Sequence, residues 1–295
     1  MSQFHRFQVG ELRCTVLNDG GREMPIKRFF PTVDAAELEQ ALRDCGFSAE
    51  LNGGLDAMMT PMAFDVLHID TGTDQILIDT GYGQTELLAS IAAADLDPAE
   101  VSAVLITHGD GDHIGGIDQF PNARFKMPRL AWDLWGNEAG LQRMVTEFTD
   151  VFGKLMSVEE VAQAAAGRMK YGQKILPALA ERVDLYEPEI DVLPGIRFVS
   201  APGHRSDHMA VEIRSAGETI LHIVDAFRHA VQAARPDWHS FVDSYPDQTV
   251  STIKQLMTRA AENDALVFGT HFPFPGLGQI EKDGAAFRWR TISSR

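Results

Sequence analysis

The stretch "LITHGDGDHIGG", residues 105–116, places His108, Asp110, Asp112 and His113 within six positions, directly after the apolar run "VSAVLIT". Such a run reads as a strand covered on both faces, so the polar cluster stands where a strand ends. Two imidazoles and two carboxylates this close would repel or desolvate poorly unless something positive gathered them. A divalent cation, or two, does this. The requirement then extends to the whole chain, which must bring further nitrogen and oxygen donors to the same place.

Three other segments offer them. His204 follows "FVSAPG", Asp225 follows "LHIV" and His271 follows "LVFGT", each again behind an apolar run. Strand ends are where loops converge on a rigid support. Any one of these residues alone reads as an ordinary structural or solvated side chain; four segments doing the same thing read as a metal site. His108 and Asp110, one residue apart, can point the same way from an extended loop. Asp112 and His113 open a helix, in which Gly115 and Gly116 permit close backbone approach and whose N-terminus favours anions. One ion cannot easily use seven groups, whereas two adjacent ions can, and Asp225 is the natural bridge, one oxygen facing each.

The 295 residues, 44% of them hydrophobic, suffice for a full core. Strand-like alternation in "RCTVLNDGG" and a hairpin in "FDVLHIDTGTDQILIDTG", turning near Thr71 to Asp74, occupy the first third. "DAAELEQALRDCG" and "TELLASIAAADLDPAEV" have helical spacing, and residues 136–182 read as a helical insertion. Strands return at "GIRFVSAPG", "MAVEIRSAGETILHIVDA" and "ALVFGTH". We expect an α/β fold, residues 1–295 forming one domain of two similar halves. A net charge of -16 argues against nucleic acid as a partner. Cys14 and Cys45 are too few for a disulfide framework. With no signal-peptide pattern in "MSQFHRFQVG" and no run of membrane-span length, a cytoplasmic location without membrane contact is expected.

The order H-x-D-x-D-H-x-G-G, then "PGH" at 202–204, "VDA" at 224–226 and "GTH" at 269–271, with "LIDTG" at 77–81 before it, resembles the metallo-β-lactamase superfamily. The tail "GTHFPFPGLGQI" is similar to the branch containing methyl parathion hydrolase and acyl-homoserine lactone lactonases. The resemblance implies an αββα sandwich with two divalent ions at one edge. Carried over by position, His108, Asp110 and His204 would hold the first ion, and Asp112, His113 and His271 the second, with Asp225 bridging. Zinc is the expected metal. Asp110 departs from the pattern, which usually has histidine there; a carboxylate is a harder ligand, so the first position should also accept manganese or iron.

Around these, Asp79 in "LIDTG" resembles the superfamily's supporting aspartate, or is a plain turn residue. His208 would support the loop without ligating, and Arg228 would touch substrate or, more simply, lie on the surface. Trp132, Trp135 and Phe274 could wall an apolar pocket; His5, His68, His222 and His239 have no motif context. The leading expectation is a hydrolase in which two ions about 3.5–4 Å apart activate water against an ester, lactone, thioester or phosphotriester, with Asp112 as proton shuttle. Diiron oxidoreductases resemble the Asp110 pattern but carry an appended flavin domain, which residues 1–295 are not expected to supply; a non-catalytic metal-binding protein is the other alternative. An extension over residues 20–60 carries no candidate ligand, and its Phe29, Phe30, Met58 and Met59 look exposed. That suggests a homodimer in which residues 24–59 and the 136–182 helices shape an apolar entrance for a small-molecule substrate.

Overall fold

In the computed structural model, which describes residues 3–83, 85–153, 156–284 and 286–292, the strands form two sheets. The first runs β1 (Phe4–Val9), β2 (Leu12–Pro25), β3 (Met59–Asp70), β4 (Gln75–Ile78), β5 (Ala103–Leu105), β6 (Arg124–Pro128) and β7 (Val183–Tyr186) in spatial order. The second holds β8 (Asp191–Leu193), β9 (Ile196–Ser200), β10 (Met209–Ser215), β11 (Glu218–His222), β12 (Leu266–Phe268), β13 (Leu277–Asp283) and β14 (Ala286–Thr291), neighbours again following chain order. β4 to β7 pair parallel, as do β11 and β12; the other pairs are antiparallel.

Period-two alternation sorts the apolar side chains between layers. Ile76, Ile78 and Leu105 point between the sheets, where they meet Phe198, Val211, Ile220 and Phe268. Their neighbours Leu77 and Val104 face outward onto helices, as Leu221 and Val267 do on the other sheet. The short α1 (Ile26–Phe29) and α2 (Ala35–Asp44) lie between β2 and β3. The helices α3 (Thr85–Ala93), α4 (Gly111–Ile114), α5 (Arg129–Trp135), α6 (Glu138–Phe152) and α7 (Val158–Ala180) belong to the first sheet's connections. The second sheet has α8 (Val231–Ala234) and α9 (Pro246–Glu262). Helix, sheet, sheet, helix is the resulting order of layers, an α/β sandwich as expected. Among the described residues, no helix is long and apolar enough to cross a membrane.

The helical stretch near 136–182 is α6 and α7, which join β6 to the parallel β7. Ser157 starts α7 with a reciprocal cap: its hydroxyl accepts from the Glu160 N–H while the Glu160 carboxylate accepts from the Ser157 N–H.

Residues 24–59 connect the paired strands β2 and β3, Pro25 lying opposite Met59, and differ from expectation in how they are packed. Their apolar groups are covered by the chain itself. Phe29, Phe30 and Met58 are at most 2% exposed, packed with Leu38, Leu42 and Trp238, and Met59 alone of the four is open at 45%. Exposed apolar surface in this segment therefore gives no support to a homodimer.

His229 belongs to this cluster, its ring 4.9 Å from Phe47 and 6.3 Å from Phe30. Burial pushes its pKa down from 6.5 to about 4. Between those values the unfolded chain binds a proton there that the folded chain does not. Stability is therefore present above about 6.5 and falls as pH drops toward 4. Other buried groups titrate nearby with the opposite sign, such as Asp207, raised to about 7 by burial, so a difference between two proteins isolates His229. Urea unfolding of the wild type and of His229→Gln at pH 7 and 4.5 should show a wild-type loss larger by about 2 kcal/mol; equal losses would remove His229 from the balance.

Candidate metal centre

β4, β5, β9, β11 and β12 all deliver their next residues to one edge of the sandwich. Asp79, directly after β4, adopts φ 62° and receives the Thr107 N–H on Oδ1 and the Thr107 hydroxyl on Oδ2, both at 2.8 Å. That clasp holds the turn from which His108 projects. The His113 Nδ1–H donates to Asp79 Oδ2 at 2.7 Å, which leaves the His113 Nε2 lone pair facing the centre. Asp79 thus bonds both the turn that carries His108 and the ring of His113. The two glycines after His113 are required by contact: a Cβ on Gly115 would stand 2.3 Å from the Tyr82 carbonyl oxygen, and one on Gly116 2.3 Å from that of Thr80.

Other imidazoles are aimed in the same manner. His271 donates its Nδ1–H to the Ala63 carbonyl at 2.8 Å, and His108 Nδ1 lies 3.1 Å from the Thr107 hydroxyl. Their Nε2 atoms, with that of His204, surround Asp225. Asp225 Oδ1 lies 3.0 Å from His271 Nε2 and 3.4 Å from His113 Nε2. Asp225 Oδ2 lies 3.3 Å from His204 Nε2 and 4.0 Å from His108 Nε2. Asp112 Oδ2 completes the second half, 3.6 Å from His271 Nε2 and 3.7 Å from His113 Nε2.

Two donor triads result: His108, His204 and Asp225; and Asp112, His113 and His271. The Nε2 atoms of His108 and His113 and Oδ1 of Asp225 are buried and lack a hydrogen-bond partner. Buried lone pairs are ordinarily satisfied, and nitrogen and carboxylate donors in triads suit a divalent ion at each position. The residues present fit the expected pair of metals.

Asp110 has a different environment from the one its spacing suggests. Its Oδ2 is near the first triad, 3.3 Å from His204 Nε2 and 3.9 Å from His108 Nε2. Both oxygens are also held by Arg205, whose Nε donates to Oδ1 at 3.2 Å and Nη2 to Oδ2 at 2.7 Å. Arg168 of α7 adds a third bond to Oδ1 at 3.2 Å. Burial would raise this carboxyl, but the two guanidinium charges hold it well below the usual carboxylate range. Asp225 behaves similarly: burial is outweighed by His271, Arg228 and His113.

Arg228 is not a surface arginine. It is 3% exposed and donates to Asp225 Oδ2 at 2.8 Å and to Asp243 Oδ1 at 3.2 Å. His208 stays out of both triads: its Nδ1–H donates to the Ala201 carbonyl at 2.7 Å and its Nε2 accepts the Asp225 N–H at 3.1 Å. Burial pushes its pKa down to about 3, so it remains a neutral support for the Asp225 backbone. Asp243, 3.3 Å from His204 Nδ1, and Arg168 had no sequence signal, while Arg205 could have drawn attention only as the residue after His204. Trp132 packs in the helical layer and Phe274 against the core between the sheets, so neither walls the site; the side chain of Trp135 lies outside the described set. His5, His68, His222 and His239 enter neither triad.

A cleft of about 550 Å³ opens onto Asp110, Asp112, His204, Asp225 and His271. Its walls come from residues 22–28 on one side and from α6 and α7, including Phe148 and Phe152, on the other.

A family profile described as "Metallo-beta-lactamase superfamily" matches residues 65–271. A probable metallo-hydrolase of Mycobacterium tuberculosis is 25% identical over 211 residues, which are 60% of this chain and 61% of that protein. Among solved structures, the dizinc quorum-quenching lactonase AidC, in complex with an acyl-homoserine product, is 26% identical, with a TM-score of 0.83 over 100% of this chain and 99% of its own. The hydrolase AbOPH shares the fold at 24% identity and a TM-score of 0.82, over 100% of this chain and 99% of its own.

Proposed function

The chain belongs to the metallo-beta-lactamase superfamily, and on that premise we propose that it is a hydrolase of ester, lactone or phosphotriester bonds in small molecules, working with two divalent ions. The observation that carries this reading is the placement of Asp225, one carboxylate oxygen toward His113 and His271 and the other toward His108 and His204. A single residue shared between two donor sets is what a pair of ions needs and what one ion does not. Bound there, the ions would supply Lewis acidity toward the substrate oxygen and acidify a coordinated water.

The protein's own groups do the rest. His108, His204 and Asp225, with Asp110 beside them, would hold the first ion; Asp112, His113, His271 and Asp225 the second. Zinc is the proposed occupant, with manganese or iron as alternatives. Asp112, half-buried and lining the cleft, would take a proton on its carboxylate and return it to the leaving oxygen. The net change adds water across one bond, giving an acid and an alcohol. Asp79 fixes the His113 tautomer throughout. The oxidoreductase alternative draws on the acidic residue at the Asp110 position, a carboxylate that Arg205 and Arg168 bond here.

Elemental analysis of the purified protein should find about two divalent ions per chain. A panel of N-hexanoyl-homoserine lactone, p-nitrophenyl hexanoate and diethyl p-nitrophenyl phosphate should show turnover on at least one member, abolished by dipicolinate and restored by added metal. Turnover that survives complete metal removal would refute the reading.

A further inference from the structure

The expected entrance is apolar, yet the observed one is lined with charged groups. Arg22, Arg28, Arg168, Arg205 and Arg228 all line the cleft, in a chain with 26 basic against 42 acidic residues. The five divide by depth. Arg205 and Arg228 lie at the floor, nearly fully buried, and are engaged by Asp110, Asp225 and Asp243. They are structural counter-ions. Arg168 bridges floor and mouth, giving Nη1 to Asp110 while its guanidinium lies 4.1 Å from the centre of the Phe148 ring.

Arg22 and Arg28 at the rim are exposed, and no ion pair engages either one among the described residues. Each sits over an aromatic ring instead: Arg22 is 5.7 Å from the centre of Phe64, and Arg28 is 5.8 Å from that of Phe241. A ring beneath a guanidinium restrains its plane and leaves the N–H edge free, a geometry that receives carboxylate or phosphate oxygens two at a time. Five carboxylates also line the cleft: Asp110, Asp112 and Asp225 among the candidate metal donors at its floor, and Glu23 and Glu160 above them. That of Glu160 is turned back to its helix start, accepting from the Ser157 N–H at 2.9 Å and hydroxyl at 2.7 Å. Glu23 is left as the rim carboxylate facing Arg22 and Arg28, Arg168 being bonded to Asp110.

We propose that the substrate carries a second, non-reacting oxyanion, a carboxylate or phosphate, which Arg22 and Arg28 bind at the rim while the scissile bond lies on the floor. Arg168 supplies positive potential between the two points. The inference rests on the hydrolase reading and narrows its substrate class. The anion is held and released unchanged; water still adds across the ester bond alone.

The experiment compares p-nitrophenyl hexanoate with mono-p-nitrophenyl adipate and with a p-nitrophenyl ester ending in a phosphonate, and separately measures binding of hexanoate, adipate and 6-phosphonohexanoate by calorimetry. An anionic ester should be preferred in kcat/KM by about tenfold or more, the discrimination that hydrogen bonds to a charged group supply. Which of the two anionic esters leads distinguishes carboxylate from phosphate. In Arg22→Gln/Arg28→Gln that preference ratio should fall to near one, and adipate or phosphonohexanoate binding should weaken to that of hexanoate. Arg28→Lys in an Arg22→Lys background should recover part of the ratio and make it more sensitive to salt. Equal use of neutral and anionic esters by the wild type would overturn the proposal and leave the hydrolase reading standing. Tight adipate binding that depends on Arg22 and Arg28, with no ester hydrolysed at all, would support the anion site and sink the hydrolase reading. An unaltered ratio in the double variant would overturn the assignment to these two residues.

Discussion

Asp225→Asn is expected to abolish turnover and remove metal together. The substitution keeps the shape of the side chain but replaces one of two anionic oxygens with an amide nitrogen, which cannot donate a lone pair to an ion. Each Asp225 oxygen stands near the Nε2 atoms of two histidines, so both halves of the centre lose a shared donor or its charge. Loss of a residue that merely supports a ligand costs roughly 10- to 100-fold in affinity or activity, and loss of the bridge should exceed about 100-fold. Arg228 would lose one buried partner, though Asp243 would still face it at 3.2 Å. Metal content by elemental analysis should fall to half the wild-type value or less, with the far-ultraviolet circular dichroism of the folded chain retained. A variant that keeps its full metal content and wild-type kcat would take Asp225 out of the centre.

Asp110→His restores the residue usual in the superfamily, yet it is expected to destabilise this chain severely. Taken alone, ligand softness says that a third imidazole beside His108 and His204 should favour zinc. The charged surroundings of Asp110 outweigh that preference. Asp110 is the buried partner of Arg205 and is also bonded by Arg168, so a histidine there confronts two guanidiniums with no compensating anion. Removing one member of a buried charge pair costs about 3–5 kcal/mol, which lowers the melting temperature by roughly 6–20 °C. Arg205→Ser added to Asp110→His should recover more than half of that loss, because the uncompensated charge goes with the arginine. The shift of metal preference toward zinc should then appear in the double variant, measured by competitive loading with zinc and manganese. If the single variant melts like the wild type, the clamp contributes nothing and ligand softness alone governs Asp110.

What could be read without the structure was of short range. The apolar runs before His108, His204, Asp225 and His271 are local patterns, and a period of two converts them directly into strands with polar residues at their ends. The spacing of His108, Asp112 and His113 is covalent geometry, and the resemblance supplied the order of the donors that follow. The helical region near 136–182 was likewise legible from its own periodicity.

The misread residues are those whose surroundings come from distant parts of the chain. Arg228 looks like any exposed arginine until Asp225 and Asp243, 3 and 15 residues away, close around it. Asp110 and Arg205 are separated by 95 residues and meet only when both sheets are assembled. Phe29, Phe30 and Met58 seem uncovered because part of their cover, Val231 and Trp238, comes from the second half of the chain. Sequence alone marked candidate donors behind apolar strands, which follows from local spacing and alternation, while the shared edge was what the resemblance implied. Tertiary structure alone decided which charges are neutralised by partners and which guanidiniums stay free at the cleft, because desolvation and ion pairing depend on every group packed against a residue, wherever it lies in the chain.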